Sequence, residues 1–278
     1  MPEGVEVKIS SELIRPFVKD KQVIAISAKS TGRYAGSKPE GLADFEKEFS
    51  VINPIYIKDV DVKGKFMYWT FNVDWYMFCT FGMTGQWSPD AGKHPCLEIT
   101  YEEPGAFKRV YFNDPRHFGT IKFVQSRQKL LEKLNELGWD PLNHGMNDTW
   151  TNYVVGLCAR KTKPIGELLM DQSIFAGVGN YIRAEALYLA KISPWRQANL
   201  MKKEEILSLC QALVDVMKES YAHQGATILT YKDAYGAEGK YSSCFKVYGQ
   251  KKDPLGNTIM KQTTPEGRSI HWCPAIQV

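Results

Sequence analysis

FMYWTFNVDWYMFCTFG, Phe66 to Gly82, decides how the first half of the chain folds. Two runs dense in aromatic and other strand-forming residues flank Asn72 and Asp74, which is the pattern of two strands joined by a tight turn. The same grammar extends from about Gln22 to Gln125: VIAIS, CLEITY and RVYFND are short apolar runs separated by Gly, Pro and Asp. The region therefore predicts antiparallel strands in a sandwich or barrel. Asn72 and Asp74 also interrupt the most apolar segment, so it falls short of the roughly 20 apolar residues that a membrane-spanning helix needs.

Helical spacing brackets this region. Ile9, Leu13, Ile14 and Phe17 predict an amphipathic helix over Glu6 to Val18, and helical periodicity returns at Lys129 to Leu137. GWDPLNHGMND then reads as a linker. Four helices are expected near Asp148 to Cys158, Ile165 to Met170, Tyr181 to Ala190 and Lys203 to His223. The tail is strand-like again, with FKVYG and SIHWCP as a hairpin. The expected domains are 1–128, 129–150 as helix and linker, 151–238, and 239–278.

With 278 residues, 44% of them hydrophobic, the chain has enough apolar content for two ordinary domains. Glu3, Glu6 and Lys8 break any apolar leader, which predicts an intracellular protein. The six cysteines are scattered and read as reduced thiols. No CxxC pair is present, and His271 and Cys273 are the only near neighbours, so no metal and no cofactor are expected. A net charge of +4 does not by itself identify a partner. Its distribution is more informative: CARKTKP (Cys158 to Pro164) and the tail from Lys240 onward concentrate cations, either as solvated surface or as a polyanion footprint.

Three stretches carry chemistry. In MPEGVEV, removal of Met1 would expose the amine of Pro2 beside Glu3. An α-amine titrates near ~7.7–8.0, well below lysine, so a useful fraction of it is a free nucleophile at neutral pH, with an acid one residue away. The plainer reading is a proline and two acids opening a helix. In VKGKFMYW, Lys65 either meets a phosphate or is a solvated turn lysine. The loops FGMTG and FNDPRHFGT carry Met83, Arg116 and Phe118, either as wedges for a base stack or as core packing. GVGN (Gly177 to Asn180) before a helix suits a phosphate, but it is a weak glycine pattern.

In this order these stretches resemble the formamidopyrimidine-DNA glycosylase and endonuclease VIII family over nearly the whole chain. MPEGVEV resembles that family's MPEGPEV start, NDPRHFG its DPRRFG loop, and MDQSIFAGVGNYIRAEALY its helix-two-turn-helix motif. The resemblance implies an α+β protein, with an N-terminal antiparallel β-sandwich, a helix-two-turn-helix domain and a C-terminal β-hairpin. It implies a bifunctional glycosylase and lyase of base excision repair, acting as a monomer on double-stranded DNA that contains an oxidised base or abasic site.

Carried over residue by residue, Pro2 is the nucleophile, Glu3 the acid, Glu6 a supporting carboxylate and Lys65 a phosphate ligand. Met83, Arg116 and Phe118 fill the vacated base position, and Gly179, Asn180 and Arg268 contact DNA. Val5 replaces a family proline. DPLGN and WCPAI stand where members usually carry zinc-binding CxxC pairs, and Gly166 stands about where bacterial formamidopyrimidine enzymes carry a lysine. Both departures resemble the zincless-finger, Nei-like branch. A binding module without catalysis, an 8-oxoguanine-preferring enzyme and a general single-strand binder stay open, and TYKDAYGAEGKYSS (Thr230 to Ser243) is expected to cap the lesion without a readable preference.

Overall fold

A computed structural model describes residues 2–29, 32–49, 53–226, 239–264 and 267–278. The chain forms two compact units. Glu6–Glu136 make up most of the first, while Leu137–Ala226 and Lys240–Val278 form the second together with the short segment Glu3–Val5.

The first unit opens on helix α1 (Gly4–Val18), whose first residues belong to the second. It continues through β1 (Val23–Ala28), α2 (Leu42–Phe45), β2 (Ile57–Lys63), β3 (Phe66–Phe71), β4 (Trp75–Thr80), β5 (Gln86–Ser88), β6 (Pro95–Glu103), β7 (Ala106–Asn113), β8 (Thr120–Gln125) and α3 (Arg127–Asn135). The strands pair antiparallel in two four-stranded sheets, ordered β1-β6-β7-β5 and β2-β3-β4-β8. This is the sandwich expected of the short apolar runs separated by turn residues. Along β4, Trp75, Met77 and Cys79 are buried while Tyr76 and Phe78 are half-exposed, as a strand with one face on a core requires. Trp69 of β3 and Trp87 of β5 meet between the sheets with ring centroids 4.7 Å apart. Burial pushes the Cys79 thiol up to about 12, so it is an inert core residue.

The second unit contains α4 (Pro141–His144), α5 (Asp148–Cys158), α6 (Ile165–Leu168), α7 (Asn180–Leu189), α8 (Lys203–Ala222) and the hairpin β9 (Met260–Thr263) with β10 (Ser269–Trp272). Helix α7 is buried on every side from Tyr181 to Tyr188 and packs on α8 and β10, so it is the unit's central element.

Two expectations are corrected. GWDPLNHGMND is a folded part of the second unit: Trp139 is fully buried, exchanges backbone hydrogen bonds with Ile174 and Ala176, and is followed by α4, which Asp140 caps. FKVYG is not a strand. The backbone N–H groups of Lys246, Val247 and Tyr248 all donate to the carboxylate of Glu185, at 2.8–2.9 Å, so no ladder is available to them. The partner of SIHW in the hairpin is MKQT.

Candidate active site

The opening segment and the GVGN loop are built for each other. Gly4 N donates to Gly177 O at 2.9 Å, and a Cβ on Gly4 would stand 2.7 Å from the Gly177 Cα. That approach requires glycine at position 4. Gly177 turns with φ +94, a region that favours glycine, and Gln172 staples the turn by accepting from Gly177 N and donating to Val178 O. Helix α7 begins after Gly179, whose own side chain cannot cap it. The cap comes from Glu3: Tyr181 N and Ile182 N donate to its two carboxylate oxygens at 3.0 and 3.3 Å. A carboxylate at the positive end of a helix, holding two N–H groups, is fixed in place.

Gly179 was expected to contact DNA through its backbone. Here its missing side chain leaves the space that the Glu3 carboxylate occupies, because an added Cβ would lie 2.5 Å from Glu3 Oε2. Pro2, the chain neighbour of Glu3, is buried, as is Glu6 in the first turn of α1. Burial, and after it the charge of Glu3, raise the phenol of Tyr248 above its ordinary value, so Tyr248 stays a neutral donor near this carboxylate.

Asn180 is the first residue of α7 and accepts at Oδ1 from Arg183 Nη2 at 3.0 Å. Arg268 lies exposed just before β10, where the backbone turns on Thr264.

In the first unit, Lys65 follows Gly64 in the two-residue turn between β2 and β3, where Gly64 has the positive φ that such a turn requires. Its neighbour Lys63 instead donates to Leu134 O at the end of α3. Met83 is 36% and Phe118 52% exposed, which rules out core packing for either, and the Arg116 guanidinium lies over the Phe118 ring at 5.3 Å. Asp114 ties the two loops together: it accepts from Thr84 Oγ1 at 2.6 Å, Gly119 N at 2.6 Å and Arg116 N at 3.3 Å. Gly82 lets the loops close, since a Cβ there would stand 2.6 Å from the Phe118 carbonyl carbon. The result is a thioether, a cation and a ring offered together on a rigid base.

Sequence reasoning missed Asp114, Gln172 and Arg183. The Asp-Pro turn was a usable signal for the first. A charged residue among the apolar positions of NYIRAEALYL, a feature it shares with Glu185, was the only signal for the last.

Asp253 of DPLGN accepts from Leu255 N, Asn257 N, Asn257 Nδ2 and the Tyr188 hydroxyl, and the Cys273 thiol donates to it at 3.6 Å. Among the described residues no group of three or more His, Cys, Asp and Glu side chains could hold a metal, and one thiol beside a saturated carboxylate does not fit a four-coordinate zinc. Of Thr230 to Ser243, residues 230–238 lie outside the described residues.

Two family descriptions match the chain: Formamidopyrimidine-DNA glycosylase N-terminal domain over residues 1–121, and Formamidopyrimidine-DNA glycosylase H2TH domain over residues 137–232. The formamidopyrimidine-DNA glycosylase of Herpetosiphon aurantiacus is 36% identical over 199 residues, 70% of this chain and 71% of that protein. The enzyme of that name from Desulfitobacterium hafniense is 29% identical over the full length of both. The crystal structure of MutM (Fpg) from Thermus thermophilus superposes with a TM-score of 0.83 at 27% identity, covering 99% of this chain and 98% of that one. A Lactococcus lactis Fpg complexed with DNA containing an abasic site shares the fold, with a TM-score of 0.83 at 24% identity over 99% of both chains. A β-sandwich followed by a helix-two-turn-helix unit, with these relatives, defines a DNA glycosylase of base excision repair. The chain belongs to the formamidopyrimidine-DNA glycosylase family.

Proposed function

We propose that the chain excises oxidised bases from double-stranded DNA through the amine of Pro2 and then cuts the strand at the abasic site. The observation that carries this reading is the clasp between PEG and GVGN. It fixes the carboxylate of Glu3, the residue next to Pro2, on the first N–H groups of α7.

The target base first leaves the stack, which costs a few kcal/mol and less for a damaged base. Met83, Arg116 and Phe118 occupy the vacated position, while Lys65, Asn180 and Arg268 hold phosphates without reading sequence. With Met1 removed, the Pro2 nitrogen attacks C1′, the glycosidic bond breaks and the base departs with its electron pair. The proton released by the amine passes to Glu3, which returns it to the ring oxygen as the sugar opens. The product is an iminium linking Pro2 to C1′. Loss of a C2′ proton expels the 3′ phosphate, a second elimination expels the 5′ phosphate, and water then frees the amine. Glu6, buried in the first turn of α1, supports the opening.

Oxidised pyrimidines, hydantoins and formamidopyrimidines are the proposed lesions, in preference to 8-oxoguanine. The relatives' name supports formamidopyrimidines. The Asp253 cluster supports placing the chain with the zincless-finger branch.

Borohydride trapping on a duplex with an oxidised base tests the chemistry. A covalent protein–DNA adduct is expected. No adduct with the wild type, or an undiminished one when a retained N-terminal tag blocks the Pro2 amine, sinks the mechanism.

A further inference from the structure

Arg183 lies in the first turn of α7 and is 1% exposed. Three of its hydrogen bonds run to neutral oxygens, each at 3.0 Å: Nη1 to Gly166 O, and Nη2 to Ser269 O and Asn180 Oδ1. One side chain thus joins α6, the start of α7 and the hairpin strand that follows Arg268.

The chemistry of arginine fixes the consequence. A guanidinium has donors only, so the Asn180 atom facing it must be the amide oxygen. The amide nitrogen, a donor, is then left on the other side. Ser269 is held by its carbonyl and Arg268 by its own, which accepts from Thr264 N at 2.8 Å, so the exposed Arg268 side chain leaves a backbone pinned at two successive residues. Arg183 and Arg268 also line one concavity of about 310 Å³, together with Lys163 and the carboxylates of Glu167 and Asp171, which sets the buried charge beside the exposed one.

We infer that Arg183 is a positioning residue for DNA backbone recognition: it turns the Asn180 amide so that Nδ2 is presented to a phosphate, and it holds the Arg268 strand in register with that donor. This rests on the reading that Asn180 and Arg268 bind the backbone. A fork that satisfies three acceptors at fixed angles is something lysine cannot reproduce.

The test is a double-mutant cycle on binding to a duplex carrying a tetrahydrofuran abasic analogue, with Tm measured for every variant. Asn180→Ala and Arg183→Met are each expected to weaken binding about tenfold, the effect of a lost hydrogen bond to a charged group. The double variant should be no weaker than the worse single by more than about threefold, because both remove one arrangement. Independent effects that multiply to about a hundredfold would overturn the inference, as would an Arg183→Met variant that lowers Tm but binds like wild type.

Asn180→Asp keeps the fold and the Arg183 contact while replacing Nδ2 by an anionic oxygen. It should bind more weakly than Asn180→Ala, and equal or tighter binding would show that the amide nitrogen does not face the phosphate. Wild-type binding by Asn180→Ala would instead refute the underlying phosphate reading. That outcome is distinct from all the others.

Discussion

Gly179→Ala isolates the position of the Glu3 carboxylate from everything else in the second unit. The backbone there is extended, with φ −132, so alanine adds no conformational strain. The new Cβ would overlap the Glu3 Cδ and both carboxylate oxygens, the farthest of the three, Oε2, at 2.5 Å, and ordinary contact begins at 3.4 Å. The obstacle is the end of a side chain, so the carboxylate retreats by at least about 1 Å while the helix stays in place. Its hydrogen bonds from Tyr181 N and Ile182 N, now 3.0 and 3.3 Å, then pass the limit of useful geometry. Bonds to a charged group contribute ~1.5–3 kcal/mol, and the donors are left buried, so a Tm drop of several degrees is expected. The catalytic effect is larger, because a misplacement of ~1 Å costs about a hundredfold. Single-turnover base release and borohydride trapping should both fall by about that factor, while affinity for a tetrahydrofuran duplex changes less than about threefold. A folded Gly179→Ala protein with wild-type single-turnover rates would refute the idea that the glycine exists to seat Glu3.

Two further predictions rest on different parts of the molecule. Met83→Ala and Phe118→Ala, at exposed positions, should leave stability within ~0.5 kcal/mol and weaken binding to lesion duplex about tenfold or more, as loss of a stacking contact does. Equal or greater weakening on single strands would favour a general single-strand binder. Glu185, buried beneath three backbone donors, has its carboxyl raised above the ordinary 4.5, chiefly by burial and against the pull of those N–H groups. The folded state therefore holds this proton more tightly, and the group's contribution to stability is full below about pH 4.5 and declines as pH rises through the raised value. The Tm advantage of wild type over Glu185→Gln should accordingly shrink from acidic toward neutral pH, and an advantage that grows with pH would contradict it.

The sandwich was legible because short runs dense in strand-forming residues, set apart by turn residues, recur from Gln22 to Gln125, whereas which residues face the core, such as Met67, Trp69 and Phe71 or Trp75, Met77 and Cys79, was not, since FMYWTF and WYMFCT are apolar on both faces. The hairpin was half legible. SIHW pairs as a strand, but FKVYG, equally rich in strand-forming residues, does not, because its N–H groups are taken by a carboxylate 61 to 63 residues away. Lys63 and Lys65 look equivalent in VKGK, and only tertiary structure sends one to the end of α3. The clasp was out of reach for the same reason: Glu3 and Tyr181 are 178 residues apart, and a glycine that makes room for a distant side chain looks like one that makes room for a phosphate.

Asp253 shows how a tail without paired cysteines keeps its shape. A metal orders such a segment by drawing several ligands to one point, and here a carboxylate does so in reverse, as one acceptor surrounded by donors. Leu255 N and Asn257 N close the DPLGN turn on Oδ1, while Oδ2 receives Asn257 Nδ2, the Tyr188 hydroxyl from α7 and the Cys273 thiol. Cys273 N in turn donates to Gln277 Oε1, whose amide reaches Ile192 O beyond the end of α7. The carboxyl of Asp253 stays below its usual range because, although burial opposes it, the donors of Asn257, Tyr188 and Leu255 outweigh that cost. The same charge, together with burial, pushes the Tyr188 phenol up to about 12, so that group remains a donor across the physiological range. Both turns flanking the hairpin are thus tied to the helix whose first residues hold Glu3 and Asn180. That shared anchor sets Arg268 in one frame with the proposed catalytic carboxylate, and it does so through hydrogen bonds supplied by the chain itself.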